Sequence, residues 1–194
     1  MIRLFDLLLS LFGLVLLIPL LLIISLAIVI ESKGKVLFLQ KRVGLNGSEF
    51  TLFKFRTMKP SGSDSLLLTT IKDTRITKVG RFLRKYKLDE LPQLVNVIKG
   101  EMSIVGPRPE VPEYVKYYSP EQRKILTIKP GITDYASIEF SDESQMLAEA
   151  ADPQQFYIER IMPQKIRLNY IFLNNRSIGN YFNIIIKTIM LLFK

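Results

Sequence analysis

The feature that most constrains this chain is an uncharged apolar run from Leu7 to Ile30. A helix of these 24 residues would be about 36 Å long, enough to cross a hydrocarbon core of about 30 Å. A cleaved signal peptide does not fit, because the run exceeds a typical signal core and no small-residue cleavage site follows it. Length and hydropathy alone favour one spanning helix with a kink.

Pro19, at the centre of the run, supports a second interpretation. Proline cannot donate a hydrogen bond to the carbonyl of Val15, and its ring crowds that helical turn. A break there leaves Leu7–Ile18 and Leu20–Ile30, each about 16–18 Å long and too short to span alone. Residues 1–32 would then form a re-entrant helix that enters one leaflet and returns to the same face.

Residues 33–194 are expected to form a cytosolic domain with a basic surface. The chain has 27 Lys and Arg against 18 Asp and Glu, a net charge of +9, and only Arg3 and Asp6 are charged before residue 31. Positive charge follows the apolar run at Lys33 and Lys35, which favours a cytosolic domain under either topology.

The chain contains no Cys and no His. Disulfides, thiol nucleophiles and cysteine-ligated metals are therefore excluded, and so is the commonest general base. The remaining chemistry belongs to carboxylates, Lys, Arg, Tyr or a hard oxygen-ligated ion such as Mg²⁺.

Two strand-like runs, Val36–Arg42 and Phe50–Thr57, flank an Asn-Gly turn at 46–47 and predict a small β-hairpin. Alternation in the second run puts Lys54 and Arg56 on one face, where two cations suit a diphosphate. A solvated strand face is the alternative.

Residues 60–70 predict a mobile loop, and a ladder of basic residues follows it at a spacing of about three. This spacing would set much of the charge along one side of a helix or of an extended helical turn. A solvated helix is the alternative, while the adjacent apolar run favours contact with membrane phospholipids or phosphates. Nucleic acid is not expected, because no aromatic stacking platform or helix-turn-helix pattern accompanies the charge. The ladder consists of Lys72, Arg75, Lys78, Arg81, Arg84 and Lys87, with Lys85 beside them.

Two adjacent carboxylates, Asp89 and Glu90, follow the ladder directly. Apolar residues within Leu91–Ile98 recur at helical spacing and predict an amphipathic helix that ends before Gly100. The structural alternative makes Asp89 the N-cap of that helix, with Glu90 complementing its dipole. The preceding cations instead favour an ionised Asp89, as a nucleophile or Mg²⁺ ligand must be.

The tetrad Gly106-Pro107-Arg108-Pro109 comes just beyond this predicted helix. Prolines on both sides restrict the backbone around Arg108 and aim its guanidinium at small entropic cost. A plain proline-rich turn is the alternative.

A series of segments over about residues 1–133 resembles the monotopic bacterial polyprenyl-phosphate phosphoglycosyl transferases, also called bacterial sugar transferases. A single such motif would be weak support, but several in the same order are specific. The matching segments are residues 41–44, 53–58, 79–84, 88–94, 96–103, 105–109 and 129–133.

The resemblance implies a re-entrant membrane helix broken at Pro19 and a two-step reaction at the cytosolic face of the bacterial inner membrane. Asp89 would attack the β-phosphorus of a UDP-sugar, release UMP and pass the phosphosugar to polyprenyl (undecaprenyl) phosphate, the first membrane step of a glycan pathway. Mg²⁺ would bridge Asp89 and the diphosphate, and Glu90 would assist the nucleophile. The implied phosphate or nucleotide contacts are Lys54, Arg56, Arg84, Pro107, Arg108 and Pro109.

The chain departs from the family pattern in three places. Ile18 stands where some members have Ser before the membrane proline. Residues 134–139 replace a common Gly-Trp-Ala-Gln-Val stretch, which leaves the sugar open. Asn169 stands where some members carry Asp, so no catalytic role is assigned there.

The C-terminal third predicts helices. Gln154–Asn174 is expected to form one or two helices around Pro163, and Asn180–Lys194 a short apolar helix. Because the latter is too short to span, we expect an interfacial helix, with a buried packing helix as the alternative. The expected fold is mainly α with a small β-hairpin, an α+β domain whose interfacial helices pack on the membrane face.

Three functions remain to be distinguished at this point. The transferase would need a lipid acceptor, whereas a nucleotide-sugar diphosphatase would release UMP without one. A membrane-anchored basic binding or scaffold protein would turn over nothing. Whether the chain forms a homodimer is open.

Overall fold

A computed structural model describes residues 1–59, 68 and 73–192. The described chain is mostly helical, with two small two-stranded sheets, which confirms the mainly α class. The helices are α1 (Ile2–Glu31), α2 (Lys78–Lys85), α3 (Gln93–Lys99), α4 (Pro112–Val115), α5 (Tyr135–Glu139), α6 (Glu143–Glu149), α7 (Pro153–Phe156), α8 (Met162–Asn174) and α9 (Ile178–Leu192). The strands are β1 (Leu37–Val43), β2 (Glu49–Phe55), β3 (Ser103–Val105) and β4 (Gly131–Thr133).

Shorter helical turns connect these elements. They are 3₁₀ turns at Leu45–Gly47, Leu88–Glu90 and Gln122–Thr127, and a π turn at Tyr157–Ile161. The predicted loop at 60–70, apart from Leu68, lies outside the described residues, as do Lys72 and Lys194.

α1 is one helix of 30 residues with Pro19 inside it. Its length and composition suffice to cross a membrane. The predicted break at Pro19 is not confirmed, because helix continues on both sides of the proline. Much of the α1 surface is exposed and apolar.

Two charged side chains hold the N-terminal half of α1 against the rest of the chain. The Asp6 carboxylate, only 2% exposed, accepts hydrogen bonds from the Ser103 hydroxyl, the Ile104 N–H and the Tyr181 hydroxyl, each at 2.9 Å. Arg3 donates to two carbonyls in the last turn of α3, at 2.6 and 3.0 Å. The Val97 carbonyl also accepts from the Gly100 N–H at 3.0 Å, so Arg3 adds hydrogen bonds at the end of α3, where a helix leaves carbonyls without intrahelical partners. We call this set of contacts the α1 anchor.

The C-terminal half of α1 packs on the hairpin and α2. Ile24 and Ile28 are buried in one cluster with Phe55 and Leu83. The Glu31 carboxylate accepts hydrogen bonds from the first two N–H groups of α2, at 2.6 and 2.9 Å, which a helix start leaves unpaired. Both ends of α1 therefore contact the same domain.

β1 and β2 form the predicted antiparallel hairpin. The outer edge of β2 is bonded to Asn96 of α3, which is fully buried. The Asn96 carboxamide accepts from the Phe53 N–H at 3.1 Å and donates to the Thr51 carbonyl at 2.7 Å. Lys54, the next residue of β2, is therefore held in a fixed position relative to α3.

β3 and β4 form a parallel pair that the sequence pattern did not predict. Their backbones come so close that a Cβ on Gly131 would lie 2.1 Å from the Gly106 nitrogen, an approach that only glycine permits. The pair brings the segment at 105–109 beside the segment at 129–133.

α2 is shorter than the predicted basic helix. The Thr77 hydroxyl accepts a hydrogen bond from the Gly80 N–H at 2.9 Å and so caps a helix that begins at Lys78. Arg75 lies before this start and pairs with Asp73 at 2.7 Å. The ladder therefore does not form one continuous helix.

The C-terminal helices follow the prediction, with Pro163 in the first turn of α8. α9 buries Tyr181 and Ile184 completely, while Ile186, Ile189 and Met190 on its other side are exposed. α9 therefore packs on the core with one face and presents a second apolar face outward.

Candidate active site

Asp89 and Glu90 lie in the 3₁₀ turn between α2 and α3, which we call the acidic turn. Lys87, just before it, has a left-handed backbone with φ of 55°. α3 begins only at Gln93, and its N-cap position is Pro92. Asp89 is therefore not the N-cap that the structural alternative required. Both carboxylates are 8% exposed.

Glu90 is held by two cations. Its Oε1 accepts from Lys54 Nζ at 2.8 Å and from the Arg108 guanidinium, which also donates to Oε2 at 3.1 Å. Burial acts to raise the pKa of Glu90, but Arg108 and Lys54 outweigh it and hold that pKa well below its usual range. Glu90 is therefore ionised, and Arg108 binds its carboxylate in a bidentate manner.

Asp89 has the opposite environment. Within the described part of the chain, its carboxylate accepts no hydrogen bond and forms no ion pair. Burial, and then the charge of Glu90, raise the pKa of Asp89, while Lys54, Arg84 and Arg108 oppose that rise without cancelling it. Two of these three cations, Lys54 and Arg108, are paired with Glu90. The expectation that the preceding basic ladder keeps Asp89 ionised stays a prediction.

Arg84 flanks Asp89 from α2. Its Nε donates to the Thr57 hydroxyl at 2.8 Å. Gly80, one turn earlier, lets α2 rest on this residue, since a Cβ there would lie 2.0 Å from the Thr57 carbonyl oxygen. Burial lowers the pKa of Arg84, and the charge of Asp89 opposes that fall, so the two side chains interact across the turn.

Arg108 is fixed through its backbone. Its N–H donates to the Asp134 carboxylate at 3.0 Å. The carbonyl of Pro107 accepts from the first N–H of β4 at 3.0 Å, and that of Pro109 accepts from Arg42 at 3.1 Å. The two prolines therefore aim Arg108, and their observed contacts are made through the backbone.

Arg56, predicted as a substrate contact, lies elsewhere. Its guanidinium donates to the carbonyls of Lys33 and Ser32, each at 2.6 Å, and to that of Ile28 at 3.5 Å. These carbonyls lie at or just after the end of α1, where a helix leaves carbonyls without intrahelical partners, although that of Ile28 also accepts from the Ser32 N–H at 3.1 Å. The geometry therefore gives Arg56 a structural role and does not support a substrate contact.

A cavity of about 470 Å³ opens beside the acidic turn, within the size range of about 300–1,000 Å³ for ligand sites. Glu90 and Arg108 line it, whereas Asp89 is absent from its described lining. The lining includes polar residues of α8 and of the segment at 137–144, which we call the polar wall: Ser137, Ser141, Glu143, Ser144, Lys165 and Asn169. Apolar residues from α3, β3, β4 and α9 also line the cavity.

The bacterial sugar transferase family model matches residues 1–194. The chain belongs to this family. It is 43% identical over 148 residues to the undecaprenyl-phosphate glucose phosphotransferase of Komagataeibacter xylinus, covering 70% of this chain and 27% of that protein. It is 45% identical over 140 residues to the UDP-glucose:undecaprenyl-phosphate glucose-1-phosphate transferase of Klebsiella pneumoniae, covering 70% and 30%.

A third relative matches nearly the whole chain. It is the UDP-N-acetylgalactosamine-undecaprenyl-phosphate N-acetylgalactosaminephosphotransferase of Aeromonas hydrophila, 35% identical over 188 residues, or 95% of this chain and 41% of that protein. The chain spans less than half the length of these three relatives.

Two residues that position the site of this sugar transferase family member were not predicted. Asp134 binds the Arg108 N–H and also caps α5 by accepting from the Ser137 N–H at 2.5 Å. An Asp before a helix is a recognisable cap pattern. Asn96 offered no such pattern, because its role depends on a strand distant in sequence.

Proposed function

We propose that this chain transfers a sugar 1-phosphate from a UDP-sugar to undecaprenyl phosphate and releases UMP. The observation that carries the proposal is the division of charge in the acidic turn. Glu90 binds Lys54 and Arg108, while Asp89 keeps a carboxylate without a partner among the described residues. The names of the family relatives supply the two substrate classes.

In the proposed first step, an Asp89 carboxylate oxygen attacks the β-phosphorus of the UDP-sugar. The bond from that phosphorus to the bridging oxygen breaks, and the oxygen leaves with UMP. A phosphosugar remains on Asp89 as an acyl phosphate. An oxygen of the acceptor phosphate then attacks the same phosphorus, freeing Asp89 and forming an undecaprenyl diphosphate sugar. Both nucleophiles are anions, so no histidine base is needed.

The cations around the acidic turn suit this charge movement. Lys54 and Arg108 balance the charge of Glu90. A diphosphate that approaches Asp89 therefore meets one uncompensated carboxylate and not two. Arg84 adds positive charge on the other side of Asp89. Fixed cations at a phosphoryl-transfer site stabilise the charge that develops on the phosphate oxygens.

We propose Mg²⁺ as the cofactor, with Asp89 as the residue of this chain that would hold it. The described residues contain no cluster of three or more acidic side chains able to hold a metal ion by themselves. Mg²⁺ commonly binds through one or two carboxylates together with substrate phosphates, and an unpartnered Asp89 fits that donor set. The ion would neutralise phosphate charge during transfer.

We also propose that residues 1–32 are re-entrant, with the domain of residues 33–194 on the cytosolic face of the bacterial inner membrane. The α1 anchor at one end and Glu31 at the other contact the same domain. A straight helix of this length, about 45 Å, would put its ends on opposite sides of a bilayer. The exposed face of α9 and Lys33 and Lys35 would meet phospholipids.

Labelling tests this topology. We expect cysteines placed at residue 2 and residue 35 to react with a membrane-impermeant reagent from the same side of sealed vesicles. Labelling from opposite sides would contradict the re-entrant helix and leave the proposed reaction untouched.

The reaction is tested by incubating the full chain with UDP-glucose or UDP-N-acetylgalactosamine and Mg²⁺ while the lipid acceptor is withheld. Mass spectrometry should find a phosphosugar on the peptide that contains Asp89, and adding undecaprenyl phosphate should convert it to lipid product. A diphosphatase would release UMP without any lipid-linked product. A scaffold protein would release no UMP and form no lipid-linked product.

A further inference from the structure

We propose that the polar wall of the cavity binds the sugar ring of the UDP-sugar, with Asn169 and Ser137 recognising its hydroxyl groups. This inference rests on the proposed function for the identity of the ligand. The place and polarity of the subsite come from the cavity itself.

Two buried polar atoms in this wall lack partners. Asn169 of α8 is 4% exposed, and its Oδ1 is buried without a hydrogen-bond partner among the described residues. The Ser137 hydroxyl of α5 is in the same state, and both residues line the cavity. An unpaired buried polar group costs about 1–3 kcal/mol. Two such atoms on residues that line one cavity indicate a ligand that donates or accepts hydrogen bonds.

Ser137 is connected directly to the acidic turn. The Asp134 carboxylate accepts hydrogen bonds from both the Arg108 N–H and the Ser137 N–H, at 3.0 and 2.5 Å. The Arg108 side chain in turn holds Glu90. The start of α5 therefore carries Ser137 next to the residue that orders the acidic turn.

A second connection runs through α6 and α8. Glu143 lies close enough to contribute to the raised pKa of Arg108, whose largest cause is Glu90. Glu143 pairs with Lys165 at 2.7 Å. Asn169 follows Lys165 by four residues and so lies on the same side of α8. Both unpartnered groups therefore belong to residues that line the same cavity as Arg108.

The charges of this wall favour a neutral sugar. Lys165 is the wall's cation, and its ion pair with Glu143 leaves no net charge there for an acidic sugar. A carboxamide and a hydroxyl each donate and accept hydrogen bonds, which matches sugar hydroxyls. The lining of the same cavity also includes the apolar residues Leu94, Ile104 and Ile132, which suit the C–H face of a sugar ring.

The position of Asp89 indicates how a bound UDP-sugar would be oriented in the subsite. Asp89 is absent from the described lining of the cavity and interacts instead with Arg84 of α2. A sugar held in the cavity would stay bound while UMP departs on the Arg84 side. The phosphosugar would then remain in place for the acceptor.

The test measures binding to the full chain carrying Asp89→Asn, which cannot transfer the sugar. Calorimetry compares UDP-glucose, UDP-N-acetylgalactosamine and UDP before and after Asn169→Leu is added. We expect the UDP-sugar that binds more tightly to lose affinity about 10-fold, the equivalent of one lost hydrogen bond, while UDP changes less than about twofold. Equal losses for UDP and UDP-sugar, no loss for either, or no binding of either UDP-sugar would overturn the subsite.

Two further variants protect the test from a folding artefact. Because the Asn169 carboxamide has no partner, leucine should leave the thermal midpoint unchanged or higher. Ser137→Ala removes only a hydroxyl and should also weaken the binding of UDP-sugar but not that of UDP. The proposal is contradicted if Asn169→Leu lowers the thermal midpoint and Ser137→Ala leaves the binding of UDP-sugar unaltered. Asn174→Leu, the same change at an exposed position of α8, should alter neither affinity.

Failure of the subsite and failure of the proposed function can be told apart. If the chain with Asp89 intact makes lipid product and Asn169→Leu has no selective effect on binding, the subsite alone is wrong. If UDP-sugar binding depends on Asn169 and no lipid product forms, the subsite stands and the transfer reaction is wrong.

Discussion

Two buried carboxylates in different regions of the molecule are satisfied by different kinds of partner. Asp6 in the α1 anchor accepts three hydrogen bonds from neutral donors, two hydroxyls and a backbone N–H. Glu90 in the acidic turn accepts from Lys54 and Arg108. Neutral donors fix a carboxylate in position, whereas cations also fix its charge. In the acidic turn these cations pair with Glu90, and the Asp89 carboxylate beside it has no hydrogen-bond or ion-pair partner among the described residues.

The largest expected effect on activity comes from substitution of Asp89, and not of Asp6 or Glu90. Asp89→Asn should lower the rate of UMP release at least about 10³-fold, because the nucleophile is removed. The rate is measured with UDP-sugar, Mg²⁺ and undecaprenyl phosphate. A variant that retains a normal rate would rule out the covalent mechanism.

The same variant should not lose stability. The raised pKa of Asp89 means that the folded chain binds this proton more tightly than the unfolded chain. At pH values above the unfolded pKa, ionised Asp89 therefore destabilises the folded state. The thermal midpoint of Asp89→Asn in detergent at pH 7 should equal or exceed that of the parent chain, and a clear fall would contradict the environment described for Asp89.

Glu90→Gln should lower both activity and stability. It leaves Lys54 and Arg108 buried without their shared anion, which costs about 3 kcal/mol when one partner of a buried pair is removed. Thermal unfolding checks this value, and the double variant Glu90→Gln, Lys54→Met should recover part of the loss. Unchanged stability in the single variant would show that the cations find other partners.

Asp6→Ala should lower stability by about 2 kcal/mol, since it leaves buried donors unpaired. Asp6→Asn keeps one acceptor and should cost less. The hydrogen bonds of the α1 anchor join residues of α1, α3, β3 and α9 and not those of the acidic turn. UMP release by the folded fraction should therefore change less than about tenfold, well below the effect at Asp89. A loss as large as that of Asp89→Asn would mean that the two regions are coupled.

The smallest expected effect is a shift in pH dependence. Since Asp89 must be ionised to attack, kcat/KM should fall as pH drops through its raised pKa. Arg84 acts to lower that pKa, so Arg84→Leu should move the acid limb of the profile to higher pH. Asp6→Asn should not move it. A limb that stays in place with Arg84→Leu would contradict the interaction between Arg84 and Asp89.

Stability should respond to pH with opposite signs at the two neighbours in the acidic turn. The lowered pKa of Glu90 contributes stability above its unfolded pKa, and this contribution is lost as pH falls through the lowered folded value. For Asp89 the destabilisation grows as pH rises from the unfolded pKa to the raised folded one. The free energy of unfolding of Asp89→Asn and of Glu90→Gln, measured across a range of pH, distinguishes the contribution of Asp89 from that of Glu90.

Local sequence patterns predicted the parts of the fold that local chemistry decides. The Asn-Gly turn predicted the hairpin, and Gly100, with its left-handed backbone, ends α3 as expected. The family resemblance implied that Lys54 and Arg108 contact phosphate or nucleotide. Both lie beside Glu90, and their contact with substrate stays a prediction. The strands β3 and β4 have three residues each, too few for an alternating pattern to be recognised.

The distribution of partners could not be predicted from sequence. Asp89 and Glu90 are adjacent and have nearly the same sequence neighbours, so only the direction of each side chain in a 3₁₀ turn decides which one meets the cations. Arg56 follows the alternation of β2, but the end of α1, distant in sequence, supplies the carbonyls that bind it. Asp6 is a charged residue just before an apolar run. Its three hydrogen-bond donors are distant in sequence, so no local pattern predicts them.

The Glu31 cap has a mechanical consequence for work at a bilayer surface. Because this carboxylate bonds the first two N–H groups of α2, any tilt or change in depth of α1 carries α2, and Arg84 with it, in the same direction. Lipids of different acyl-chain length should therefore alter the distance between the phosphate layer and the reacting carboxylate while the internal geometry of the domain stays the same.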